Sequence, residues 1–407
     1  MPDAPTISEQ TPKKRIALFL DGTWNAGSDN TNVWRLKSLC SEKSADQSSQ
    51  VIYYDVGVNG FVGGMVGKGL NRNVTDAYEW LIENYNSQDE LFIFGFSRGA
   101  FTARSLAGFI AKYGMLKRGA PLGVKQLYNR YRRAEDRTIW KLIESRDNAT
   151  LGECNLEEQW MLKYCIPIRI KVVAVWDTVG SVGIPFGNIP GISRATFGFL
   201  HTGLRVPIEN GFHALAIDEH RRAFMPTLWT VRKPKDPNAI IAKPRSLTSV
   251  EQRWFVGAHA NVGGGYDSDL LTQIPLRWIM SKASVHGLAF HDDVEISGDV
   301  HKSPITDSYR DFMYGCYRGF SWRHHRTIGE PPIERADGTH SNVNETIDVS
   351  VFDRWRNVQK YRPSNLLDWG KRHKVKIEDI DRSVRADDPA IPACASTPPY
   401  ADHGRAP

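Results

Sequence analysis

Short apolar runs alternate with amphipathic stretches from about residue 15 to residue 283. "RIALFL" (Arg15–Leu20) is an almost unbroken apolar run closed by the turn-forming "DGTWN", which reads as a strand. Gln50–Gly57, Leu91–Phe94 and the β-branched "IRIKVVAVWDTVG" (Ile168–Gly180) read the same way, and Val250–Tyr266 reads as a strand running into a Gly-rich turn. Helical spacing occupies the intervals. Asn32–Cys40 is a short helix, and Val74–Tyr85 repeats Ala77, Trp80, Leu81 and Tyr85 on one face. Arg98–Lys112 gathers Phe101, Leu106, Phe109 and Ile110, and polar helices fill Gly123–Arg146. Pro207–Phe224, with Pro near its start, is predicted helical, as is Ile274–Ala283.

This alternation predicts an α/β fold with a mainly parallel sheet flanked by helices, carrying helical insertions and a C-terminal elaboration. Residues 1–13 are expected to be a flexible leader and 14–290 the catalytic domain. The less regular 291–385 is expected to form an elaboration or cap, and the Pro- and Ala-rich 386–407 a disordered tail.

Ligands of open parallel sheets bind beyond the carboxyl ends of the strands. Three predicted strand ends carry reactive side chains, Ser97, Asp177 and His259, and a fourth carries Asp21 in a tight turn. Gly95-Phe96-Ser97-Arg98-Gly99 is a G-x-S-x-G pattern with an apolar run before it and an amphipathic helix after it. That context is the one a nucleophile elbow needs. The chain turns sharply from strand into helix, small residues at Gly95 and Gly99 avoid collisions, and the hydroxyl stands at a helix N-terminus where amides can hold an oxyanion. A near-copy, Gly191-Ile192-Ser193-Arg194-Ala195, lacks the second Gly and a preceding strand.

A serine hydroxyl needs a base, and the base an orienting carboxylate. Ser97, Asp177, His259 follow the order Ser, acid, His of α/β-hydrolases, with Asp218 as the rival acid. The oxyanion donors expected are the N–H of Arg98 and one from Gly22 or Thr23 in the loop after the first strand. Asp21 either supports that site or only fixes its own turn. "GGMVGKGL" fails as a phosphate loop, because Gly69 follows Lys68 where Ser or Thr is required.

Composition narrows the picture. A net charge of +6 is too small to imply nucleic acid, though it suits approach to an anionic surface. Five scattered Cys with no C-x-x-C pair suggest reduced thiols, with neither a disulfide framework nor a zinc site. The N-terminus has no apolar signal core and no stretch is long enough to cross a bilayer. A cytoplasmic protein is therefore expected, with export by a signal-independent route left open. The chemistry requires neither metal nor organic cofactor.

"LFLDGTWN", "LFIFGFSRGAFTAR", "VWDTVGSVG", "FHALAIDEHRRAF" and "WFVGAHANVGGGYDSDLLTQIPLRWIM" stand in order between Leu18 and Met280. Together they resemble the α/β-hydrolase domain family that includes the catalytic domains of type VI secretion phospholipase effectors. The resemblance implies Ser97 as nucleophile, Asp177 as acid and His259 as base. One position departs: the family usually has Asp two residues after the His, where this chain has Asn261. For some members the resemblance implies lipid ester hydrolysis, contact with a membrane surface, and, for an effector, delivery and immunity partners. The competing reading is a non-catalytic binding or scaffold module that keeps the fold; it predicts His259 out of hydrogen-bond reach of Ser97.

Overall fold

The computed structural model of the chain describes residues 13–22, 30–57, 66–131, 137–150, 152–179, 207–236, 245–266, 270–311, 322–335, 338–380 and 390–392. The leader before residue 13, Thr23, the loop 58–65, the Ser193 near-copy and most of the tail lie outside these residues.

Strands β1 (Arg15–Leu20), β2 (Gln50–Asp55), β3 (Glu90–Phe96), β6 (Ile170–Trp176), β7 (Ile208–Ala216), β9 (Val250–Phe255) and β12 (Glu345–Asp348) form one parallel sheet in the order β12-β9-β7-β6-β3-β1-β2. Inside the Pro- and Ala-rich tail, β13 (Ala390–Pro392) pairs antiparallel with β12. Smaller pairings lie outside it: β4 (Met115–Leu116) with β5 (Cys165–Ile166), and β8 (Thr230–Pro234) with β11 (Gly338–Asn342) and β10 (Ile333–Arg335). This is the mainly parallel, helix-flanked α/β architecture expected.

The apolar runs are continuous because both faces of the sheet are covered. Along β1, Ile16, Leu18 and Leu20 enter one core with α2 (Val66–Asn84) and α3 (Arg98–Tyr113), and this core extends to α4 (Val124–Tyr131), α5 (Ile139–Asp147) and α6 (Leu156–Tyr164). Ala17 and Phe19 point the other way, to α1 (Asn32–Leu39) and α8 (Leu270–Val285). A third cluster joins Leu215, Trp254 and Ile347 to α10 (Val349–Asn357) and α11 (Ser364–His373).

Between β1 and β3 the direction of winding reverses. The chain steps outward from β1 to β2, then returns past β1 to β3 and continues the other way. Ligands of such sheets bind at the reversal, beyond the carboxyl ends of the two strands, where Asp21-Gly22 and Ser97 stand.

The helix predicted over Pro207–Phe224 is wrong. Ile208–Ala216 is β7, a central strand between β6 and β9. Phe212, Ala214 and Ala216 pack on one side of the sheet and Leu215 on the other. A short apolar run carries helical and strand spacing alike, and pairing on both edges decides the matter. Pro207 does not start a helix; its carbonyl accepts the N–H of Ile170 as the ladder begins. Asp218 therefore stands just past a strand end, not late in a helix.

Candidate functional site

The turn after β3 is held in a backbone conformation that few residues adopt. Ser97 has φ 57° and ψ −118°, in the left-handed half of conformational space, a geometry retained at functional turns despite its strain. Its amide continues the sheet by donating to Trp176 O at 3.1 Å, and its carbonyl accepts from Phe101 N in the first turn of α3. The two glycines are required by contact. A Cβ on Gly95 would collide with the Gly99 carbonyl, and one on Gly99 with the carbonyls of Leu20 and Asp21. Gly99 thus lets the start of α3 lie against the end of β1.

β9 ends at Phe255, and α7 (His259–Gly263) comes after a tight turn. The predicted Gly-rich turn contains this short helix, which carries His259 at its first position. The imidazole is 6% exposed and lies between Phe96 and Phe224, with ring centroids at 4.7 and 5.1 Å. His259 Nε2 is 2.8 Å from Ser97 Oγ, and Nδ1 is 2.5 Å from Asp177 Oδ2. With Nδ1–H donating to the carboxylate, Nε2 is left to accept the serine hydroxyl.

Asp177 follows β6 at φ 38° and is fully buried. Its own amide donates to Ala214 O at 2.7 Å. Its Oδ1 accepts Ala216 N at 3.1 Å and Arg326 Nη1 at 2.6 Å, while Arg326 Nη2 lies 3.0 Å from Oδ2. Burial pushes this carboxyl upward. The adjacent Arg326 charge and the His259 bond outweigh burial and hold it well below the usual carboxylate range. Burial pushes His259 down, opposed by its bond to Asp177. The structure therefore brings Ser97, His259 and Asp177 into one hydrogen-bonded row. The rival Asp218 is spent elsewhere, its Oδ2 accepting Gly257 N at 2.7 Å and the Tyr361 hydroxyl at 3.2 Å.

Three supporting residues are not singled out by the sequence, although His213 and Glu219 stand within the segment "FHALAIDEHRRAF". Arg326 lies far along the chain in a polar stretch. Buried Glu219 accepts the backbone N–H of His259 at 3.2 Å and is itself paired with Arg221 at 2.9 and 2.8 Å. It also accepts the Ser308 hydroxyl at 2.9 Å, from the start of the short α9 (Ser308–Asp311). His213, inside β7, accepts Thr178 N at 3.1 Å and so pins the turn that presents Asp177. Burial drives His213 down to about 3, keeping it neutral. Once β7 is read as a helix, neither His213 nor Glu219 can be placed beside the strand ends.

At the end of β1, buried Asp21 fixes its own loop. Oδ1 accepts the N–H of Gly22 at 2.8 Å, and Oδ2 accepts the Thr31 hydroxyl at 2.5 Å and the Tyr54 hydroxyl at 3.2 Å. The Gly22 amide is thereby bonded, and Thr23 lies outside the described residues. The amide of Arg98 belongs to the first turn of α3, whose N–H groups have no acceptor within the helix. Burial lowers the Arg98 guanidinium to about 10, still a cation at neutral pH. Buried Asn261 accepts the amides of Ala258 (3.1 Å) and Thr306 (3.2 Å) through Oδ1, bracing α7.

The model of the family described as "T6SS, Phospholipase effector Tle1-like, catalytic domain" matches residues 14–282. An uncharacterized protein of Saccharomyces cerevisiae is 26% identical over 308 residues, covering 69% of this chain and 41% of that protein. The chain thus spans well under half the length of this curated relative. Among solved structures, an uncharacterized protein from Pseudomonas aeruginosa aligns at 15% identity and TM-score 0.40, covering 77% of this chain and 51% of the other. The Tle1 effector bound to the VgrG spike from the type 6 secretion system aligns at 18% identity and TM-score 0.32, covering 63% and 52%. With the family model running through the elbow, the Asp177 turn and α7, the chain belongs to the T6SS Tle1-like phospholipase effector catalytic domain family.

Proposed function

We propose that this protein is a serine hydrolase that cleaves acyl esters of phospholipids. The hydrogen-bonded row from Ser97 through His259 to Asp177, at 2.8 and 2.5 Å, carries the proposal. His259 Nε2 takes the hydroxyl proton as Ser97 Oγ attacks the ester carbonyl. The tetrahedral oxyanion rests on the N–H of Arg98 and a second donor from the loop after β1. Gly22, whose amide is bonded to Asp21 here, and Thr23 are the two candidates for that donor. Collapse expels the alcohol, which leaves with the proton from His259, and water then releases the acyl group by the same steps in reverse order. Asp177 keeps Nδ1 protonated and balances the imidazolium that forms. The scaffold alternative requires His259 out of reach of Ser97, and the 2.8 Å separation supports catalysis instead.

Family membership supports the lipid substrate and, with it, a delivered effector acting on membranes of a target cell, with a delivery partner and an immunity partner. Ser97→Ala is expected to abolish hydrolysis of a p-nitrophenyl ester, labelling by a fluorophosphonate, and release of fatty acid from phospholipid vesicles. Wild-type protein that neither takes the probe nor releases fatty acid would overturn the proposal. Esterase activity without fatty acid release would restrict it to small esters.

A further inference from the structure

We propose that Arg326 is a positioning residue of the active site, clamping Asp177 in a two-point ion pair, so that chain beyond the family's catalytic domain completes the triad. The proposal rests on the hydrolase reading of Ser97. The matched domain ends at residue 282, and Arg326 lies beyond it. Its two terminal nitrogens reach both oxygens of Asp177, at 2.6 and 3.0 Å. The same two nitrogens donate to Ala216 O at 2.7 Å and Phe224 O at 2.5 Å. The planar guanidinium is therefore fixed by four bonds to three places: two to Asp177 after β6, one to the end of β7, and one to the turn that places Phe224 against His259. Lysine has no fork to do this. Arg326 is 1% exposed and Asp177 fully buried.

The clamp answers a physical problem at this position. A carboxylate with no water around it favours its neutral form unless charges and donors compensate. A protonated Asp177 would orient the imidazole poorly and give the imidazolium no counter-charge. Arg326 keeps the carboxylate ionised, yet its own positive charge opposes the imidazolium. Glu219 offsets that. The charged groups acting on His259 are Asp177 from the β6 turn and Glu219 and Arg221 from the loop after β7, with Arg326 from the C-terminal segment bonded to the far side of Asp177. Tyr266, pushed up to about 12 by burial, stays neutral. Two carboxylates balance two guanidinium groups, so the proton arriving from Ser97 meets a locally neutral cluster. Loss of Arg326 removes a positive charge from beside the bonded Asp177–His259 pair, so the pair as a whole, whichever member carries it, holds an extra proton to higher pH.

The test compares wild type, Arg326→Gln, Arg326→Lys, Asp177→Asn and the double variant Asp177→Asn/Arg326→Gln in the full chain. Arg326→Gln is expected to lower kcat at pH 7 by at least about tenfold with little change in KM. It should also move the acid limb of the kcat/KM profile upward by about one pH unit. Arg326→Lys should keep the limb near its wild-type position while kcat falls. The double variant should be no slower than Asp177→Asn alone, because Arg326 acts through Asp177. An unmoved acid limb in Arg326→Gln, or losses that multiply in the double variant, would overturn the proposal. If Arg326→Gln does not fold, the double variant, which removes both buried charges, carries the comparison with Asp177→Asn. If wild type takes no fluorophosphonate, the hydrolase reading fails by itself. NMR titration of the His259 imidazole, assigned with His259→Gln, then decides the ion pair: the same value in wild type and Arg326→Gln overturns it.

Discussion

Asp177 and Asp218 are buried carboxylates at the ends of adjacent strands, β6 and β7, and both begin with the same penalty for losing water. Their partners separate them. Asp177 accepts from an imidazole, a guanidinium and one amide, and it is held ionised. Asp218 accepts from the Gly257 amide and the Tyr361 hydroxyl, while Arg354 and Arg323 act on it only from a distance. Burial wins there and lifts Asp218 to about 6. Position at a strand end does not assign a role; the charge of the donors does.

Neutralising each carboxylate in turn separates the two roles. Asp177→Asn is expected to lower kcat by roughly 10⁴-fold, since the amide leaves Nδ1 without an anionic acceptor. Asp218→Asn should stay within about tenfold of wild type at pH 8 when read as a difference in transition-state free energy. Equal losses at the two positions would erase the distinction.

Stability depends on pH with opposite signs at the two positions. The folded-state value of Asp177 is depressed, so its contribution is present above the unfolded value near 4 and is lost only as pH falls below that. The folded-state value of Asp218 is raised, so its contribution is complete below about pH 4 and disappears as pH rises towards 6. Ionising Asp218 therefore removes on the order of 3 kcal/mol by pH 8. Denaturant melts at a series of pH values should show a downward slope between pH 4 and 6 that Asp218→Asn lacks. A slope that persists in the variant would refute the assignment.

The smallest effect is expected from Tyr361→Phe. It removes one neutral donor, costing about 1 kcal/mol of stability. Since the hydroxyl favours the charged form, its loss should move the Asp218 transition higher still while ester hydrolysis stays unchanged.

Much of the molecule is legible in the sequence where one face of an element sees one environment. Arg15–Leu20 is buried along its whole length and reads as a strand at sight. Gly95 and Gly99 announce the elbow because their reason is steric and local. The order Ser97, Asp177, His259 can be read because each residue comes after a strand. β7 misleads because Asn210 and His213 interrupt its apolar pattern, and both are buried by tertiary pairing. Arg326 gives no local signal at all. A buried carboxylate that stays ionised implies some counter-charge, but which of the chain's many arginines supplies it is a fact of tertiary structure.

The place of β12 has a practical consequence. It lies parallel to β9, with Ile347 opposite Trp254, and covers what would otherwise be an open sheet edge. Buried side chains fasten it: Trp254 donates to Glu345 at 2.8 Å, and the Thr346 hydroxyl to Glu251 at 2.7 Å. A version of the protein cut after α8 is expected to expose the backbone of β9 as a sticky border and to self-associate. Monomeric, soluble behaviour of that truncated version in size-exclusion chromatography would show the expectation wrong. For anyone designing an expression boundary or a fusion, the useful limit of this unit is set by its last parallel strand and the two helices packed behind that strand, well past the point where the family's own pattern stops.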